Sequence, residues 1–177
     1  MISGKYGSAS ITSSQGQSSN PMTQYQKILI AVDQSELAQS AVNTAQDLAK
    51  AHQASLRILH CLSLPLPTQL DFGDRYRGNL KESLAVAQQQ LDDNLEQTRQ
   101  WLSALEAEAQ AKGIDTTWDW RGGDAGPQIC HVAKTWPADL IIMGRRGRGR
   151  LKAALLGSVS NYVLHHAPCS VLVIQGS

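Results

Sequence analysis

No stretch of this chain approaches the roughly 18 to 20 consecutive apolar residues that a membrane-spanning helix needs, which excludes a helical membrane protein. Cysteine is sparse. Cys61, Cys130 and Cys169 are odd in number, lie far apart and form no CxxC pair, so a disulfide framework is excluded and reduced thiols of a cytoplasmic protein are expected. Net charge is also lacking: apart from Lys5, the basic residues only equal the 15 acidic ones. That balance gives no sign of the broad basic face on which long nucleic acids are usually held. Residues 1–21 lack periodic apolar positions and are rich in Ser, Gly and Gln. They are read as a disordered leader or an appended expression tail, neither secretory signal nor anchor, with Met22 a natural start. Residues 22–177 are enough for one domain with one substantial core.

What is present alternates regularly. Lys27–Val32 (KILIAV) is short, apolar and β-branched, as a buried strand is. From Glu36 to Ala51 the apolar positions Ala38, Ala41, Val42, Ala45, Leu48 and Ala49 recur at helical spacing behind Ser35, a residue type that caps helices. Ser55–Leu62 reads as a second strand, followed by an irregular stretch holding Pro65, Pro67, Gly73 and Gly78. A long helix is predicted over Lys81–Lys112, its stripe formed by Leu84, Leu91, Leu95, Thr98, Leu102, Leu105 and Ala109, with Gly113 as the stop. Ile114–Trp120 alternates as a third strand. Asp124 can cap a helix bearing Ile129, Val132, Ala133 and Trp136, and Asp139–Met143 is a fourth strand. Ser158–His166 is a short helix ended by Pro168, before a last strand at Ser170–Ile174.

Apolar strands alternating with helices imply a parallel sheet covered on both faces. Right-handed crossovers favour the doubly wound order 3-2-1-4-5 for the five strands. In that topology strands one and four are neighbours where the winding reverses, and ligands bind outside their carboxyl ends, here Asp33 and Gly144.

The fourth strand runs into Gly144-Arg145-Arg146-Gly147, and after nine intervening residues Gly157-Ser158 opens the last helix. A glycine at a strand end lets an anion approach bare backbone. The helix start offers unpaired N–H groups, the positive end of a dipole and the Ser158 hydroxyl. The GxxxxGK[ST] order is absent, so this is no Walker loop. By themselves, Gly144, Gly147, Gly149 and Gly157 are equally compatible with a flexible surface loop. Arg145, Arg146, Arg148, Arg150 and Lys152, with no acid among them, make the charge local and point to a small polyanion.

The pattern G-x-x-G, nine residues, G-S resembles the ATP-binding signature of the universal stress protein family. The resemblance runs from about Met22 to Gln175, through KILIAVDQSE, LRILHCL, DLIIMGRRG and LLGSVSNYVLHHAPCSVLVI. It implies a homodimeric, cytoplasmic α/β protein of an ATP-binding branch, joined through the last strand, with a regulatory protein partner to read its state. It gives Asp33 a role near the ribose and any phosphate-bound metal. Gly144, Gly147, Gly157 and Ser158 would cradle phosphates, and the Cys61 backbone would meet adenine. Val159 and Met143 would line the pocket, and Ala31 and Val32 would supply floor and wall. The ligand implied is ATP, ADP or AMP, with or without Mg2+. Asp33 and Ser158 can alternatively serve as plain helix caps, and Cys61 as core. Arg145 and Arg146 either grip phosphates bidentately or remain solvated loop charges.

No Ser-His-Asp order, paired-carboxylate motif or zinc spacing is present, and Cys130–His131 and His165–His166 are adjacent pairs that diverge on a helix. Asp33 and His60 are the only candidates for catalysis, so a nucleotide-biased switch is expected, with slow hydrolysis at most. The alternatives are an ATP hydrolase or phosphotransferase, and an oligonucleotide- or protein-binding module using the arginine loop. Trp118, Trp120 and Trp136 lie away from that loop in sequence, which disfavours single-stranded nucleic acid.

Overall fold

A computed structural model describes residues 25–62, 80–145 and 156–175. The expectations placed on residues 1–21, on Pro65, Pro67, Gly73 and Gly78, and on Arg146, Gly147, Arg148, Gly149, Arg150 and Lys152 lie outside the described residues, as does the Leu84 side chain.

The order of elements is β1 (Lys27–Val32), α1 (Glu36–His52), β2 (Ser55–Leu62), α2 (Leu80–Ala111), β3 (Thr116–Gly122), α3 (Ala125–Thr135), β4 (Leu140–Gly144), α4 (Ser158–His166) and β5 (Ser170–Ile174). The strands form one sheet in the order β3-β2-β1-β4-β5, every pair parallel, as the sequence predicts. In the register Ile30 lies beside Ile58 on one side and Ile142 on the other.

Side chains alternate across the pleat, so each strand feeds two cores. Ile28, Ile30, Val32, Ile58 and Ile142 pack on α1 and α2 through Ala41, Val42, Ala45, Leu102 and Leu105. Leu29, Leu59, Ile141 and Met143 pack on α3 and α4 through Ile129, Val132, Ala133 and Val163. Two buried faces account for strands that read as unbroken apolar runs.

Among the boundaries and caps that differ from expectation, four have a local reason. β3 begins at Thr116, not Ile114, because Gly113 (φ 79°) closes α2 in a Schellman turn. In that turn the Ile114 N–H donates to Ala109 O (3.2 Å) and the Gly113 N–H to Gln110 O (2.9 Å), so buried Ile114 belongs to the helix end. β4 begins at Leu140 because Asp139 ties strand starts together, its carboxylate accepting the N–H groups of Gln26 (2.7 Å) and Lys27 (3.2 Å). Ser35 occupies the N-cap of α1, yet its side chain makes no capping bond and donates to the Asp33 carboxylate instead. Trp136 is the C-cap of α3, not part of its body.

The largest departure concerns α2. At 1.5 Å per residue its 32 residues span about 48 Å, whereas seven residues of β3 span only about 23 Å. The stripe is buried at Thr98, Leu102, Leu105 and Ala109, but Leu95 is half-buried and Leu91 is 42% exposed. The N-terminal half of the helix overruns the sheet, so the pattern continues where no described surface lies beneath it.

Candidate functional site

The crevice predicted at the reversal of winding forms where β1 and β4 end side by side. Ala31 pairs with Met143 in the register, which brings Asp33 and Gly144 out at the same end of the sheet. Val32 pairs with His60, so Cys61 emerges one step further along β2. Met143 is buried, while Ala31, Cys61 and Val159 are half-buried against the same α3–α4 core. Val32 points to the opposite face, into the α1–α2 core.

Asp33 organises the turn into α1. Its Oδ1 accepts both the hydroxyl and the N–H (3.2 Å) of Ser35, which leaves Ser35, not Asp33, as the N-cap. Beside it, a cleft of about 400 Å³ opens between α1 and α2, lined by Asp33, Ser35, Ala38, Val42, Trp101 and Leu105 among others. Gly144, Gly157 and Ser158 do not line this cleft. Asp33 therefore lines the α1–α2 cleft while following β1 at the same end of the sheet as Gly144.

At those ends, Gly157 is the N-cap of α4 (φ −64°, ψ 157°) and Ser158 its first residue, so the reading of Ser158 as a plain N-cap does not hold. The Ser158 side chain is exposed. The first turn of α4 carries no acidic residue, and its leading N–H groups have no intrahelical acceptor. The Gly157 N–H donates to Arg145 O (3.1 Å), and the Arg145 N–H donates to Ile174 O (2.8 Å). These bonds bring the end of β4, the start of α4 and the end of β5 to one point. The arrangement suits an anion: a helix N-terminus whose N-cap, Gly157, carries no side chain to block approach.

Sequence reasoning missed Ser160. Its side chain is 2% exposed, and its Oγ lies 2.9 Å from Arg145 O and 3.1 Å from Gly144 O. The one available signal was a small polar residue three positions before core residue Val163.

The catalytic candidates separate. His60 is buried, its Nδ1 2.8 Å from Val32 O, so the proton sits on Nδ1, and its ring meets Trp101 edge-on at 5.3 Å. That ring is a core element. Burial pushes the Cys61 thiol up to about 11, with Arg121 opposing and Asp119 adding to the shift, so the thiol stays protonated and only its backbone is available at the crevice. Burial also raises the Cys130 and Cys169 thiols. Among the described residues no group of three or more His, Cys, Asp or Glu is placed to hold a metal ion, and no helix is long and apolar enough to cross a membrane.

Comparison with known proteins agrees with this architecture. Residues 24–175 match the model of the universal stress protein family. Universal stress protein Sll1388 of Synechocystis is 35% identical over 153 residues, covering 85% of this chain and 98% of that protein. The structure of universal stress protein UspA from Lactobacillus plantarum superposes with a TM-score of 0.69 at 27% identity, covering 85% of this chain and 98% of the other. Two further structures share the fold at lower identity. One is a universal stress protein in complex with cAMP (TM-score 0.58, 24% identity, 88% of this chain and 100% of that one). The other is the Archaeoglobus fulgidus universal stress protein in complex with dAMP (TM-score 0.58, 19% identity, 85% and 98%).

Proposed function

The chain belongs to the universal stress protein family, and from that premise we propose that it binds an adenine nucleotide at the ends of β1 and β4 and uses occupancy as a regulatory switch. The observation that carries the reading is the closure at Arg145: the end of β4 is bonded to the start of α4, so glycine backbone and first-turn N–H groups meet at the end of the sheet where β1 leads into Asp33. The ligands bound in two structures of this fold, cAMP and dAMP, share an adenine and a single phosphate, the chemistry such a place accommodates.

In this reading phosphate approaches past Gly144 and Gly157, which carry no side chain to block it, to the first-turn N–H groups of α4 from Ser158 onward, with the Arg145 and Arg146 side chains and Gly147 adding donors. Cys61 offers main-chain groups to the base, Ala31, Met143 and Val159 give apolar contact, and Asp33 faces the ribose or a phosphate-bound Mg2+. The ligand is ATP, ADP or AMP. The active form is a cytoplasmic homodimer joined along β5, and a protein partner reads the bound state. Hydrolysis, if present, is slow, because His60 is committed to Val32 O and Trp101.

The test is a calorimetric titration of nucleotide-stripped protein with ATP, ADP and AMP, with and without Mg2+, beside Gly157→Val. Saturable binding that the variant weakens at least about tenfold is expected, since a branched side chain at the N-cap covers the first-turn donors. Absence of binding by intact, folded protein sinks the proposal.

A further inference from the structure

Resting on the nucleotide reading above, we infer that Ser160 is a positioning residue that keeps the phosphate-binding backbone selective for anions. The side chain is 2% exposed, so it offers almost no surface of its own to a ligand. It acts through two carbonyls, with Oγ 2.9 Å from Arg145 O and 3.1 Å from Gly144 O. The single hydroxyl proton serves one of them at a time and draws both toward α4. Arg145 O also accepts the Gly157 N–H (3.1 Å), while the Arg145 N–H is held by Ile174 O at the end of β5 (2.8 Å). Residue 145 is thus tied to both α4 and β5, and Ser160 contributes a side chain to that closure.

The consequence is electrostatic. A carbonyl oxygen carries partial negative charge, so one turned toward an anion repels it, while one turned away leaves the N–H groups dominant. Engaging the Gly144 and Arg145 carbonyls on the α4 side prevents their peptide dipoles from rotating toward the incoming phosphate. Removing the hydroxyl leaves the Gly144 carbonyl without that donor and the Arg145 carbonyl with the Gly157 N–H alone, so both peptides are held less firmly on the α4 side. The cost to binding therefore grows with ligand charge. That distinguishes positioning from general loosening, which would weaken every adenine ligand alike.

The experiment compares wild type, Ser160→Ala and Ser160→Thr by titration with ATP, AMP and adenosine, alongside amide hydrogen exchange at Gly157 and Ala167. Ser160→Ala is expected to weaken ATP about tenfold, AMP less, and adenosine less than about twofold, with Thr restoring ATP affinity. Gly157 exchange should speed up in the alanine variant, with Ala167, bonded to Val163 O inside α4, unchanged as the folding control. Equal loss for ATP and adenosine, or unchanged affinity for both, overturns the inference. If the wild type binds no adenine ligand, the nucleotide reading fails on its own. The closure is then decided by exchange: a Gly157 amide indifferent to Ser160→Ala overturns it.

Discussion

The two edges of the sheet are built from opposite materials. β3 (TTWDWRG) sets Trp118 toward α2 and carries Asp119 and Arg121 on the other face, where they form an ion pair at 2.7 Å. β5 (SVLVI) has no charge. Val171 and Val173 lean on the α3–α4 core and Leu172 and Ile174 on the α1–α2 core, all four half-buried. The preceding helix α4 exposes Tyr162 and Leu164 as well. A charged, aromatic edge resists adding a strand, whereas a flat aliphatic one invites it. The contrast teaches that only one edge is guarded against pairing, and the unguarded one reaches the proposed anion site through the bond from the Arg145 N–H to Ile174 O.

The sharpest way to break the comparison is charge on β5. Leu172→Lys is expected to turn the dimer proposed above into a monomer, with dissociation at least about a hundredfold easier, while Thr117→Lys on β3 leaves the mass unchanged in sedimentation equilibrium. A monomer produced by the β3 variant instead would reverse the assignment of edges.

A smaller effect comes from the flank of β5, where α3 and α4 meet at Gly126. A Cβ there would lie 2.7 Å from Tyr162 Cδ1 and 3.0 Å from Tyr162 Cβ, too close to the α4 backbone for a rotamer change to relieve. Gly126→Ala gains helix propensity but forces the helices apart, for a net loss of about 1 to 2 kcal/mol in urea unfolding. The shift should also loosen α4 over β5. A more stable variant would show that the two helices are not held at glycine spacing.

The fold was legible where burial is two-sided. β1, β2 and β5 coincide with their predicted limits because continuous apolar runs report strands covered on both faces, and the order 3-2-1-4-5 follows from crossover handedness. Periodicity failed as a measure of burial in α2: the stripe through Leu91 states which side would be covered, and only the length of the sheet beneath decides whether it is. Ile114 misled because an apolar residue after a glycine stop serves the helix end as readily as the next strand. The proposed site rests on Gly144 and Gly157, glycines at element ends that the sequence displays directly. Ser160 was not legible, since its role depends on two carbonyls that only the folded chain brings to it.

The smallest expected effect tests what the charges of β3 are for. The Asp119–Arg121 pair is well exposed, with side-chain exposures of 32% and 48%, so its attraction is screened by water. Arg121→Ala should therefore change unfolding free energy by no more than about 0.5 kcal/mol. Its local influence is different in kind. Arg121 lies beside Cys61 in the β2–β3 register and is the influence that favours the thiolate, against burial and Asp119. Removing the cation leaves both opposing influences in place, so the thiol must move further above about 11, and alkylation of Cys61 must slow at a given pH. Unchanged stability with slower alkylation means that Arg121 acts through its charge and contributes little to holding the edge strand in place. A large stability loss would mean the ion pair holds β3 on the sheet, and the two edges would then differ in strength as well as in what they repel.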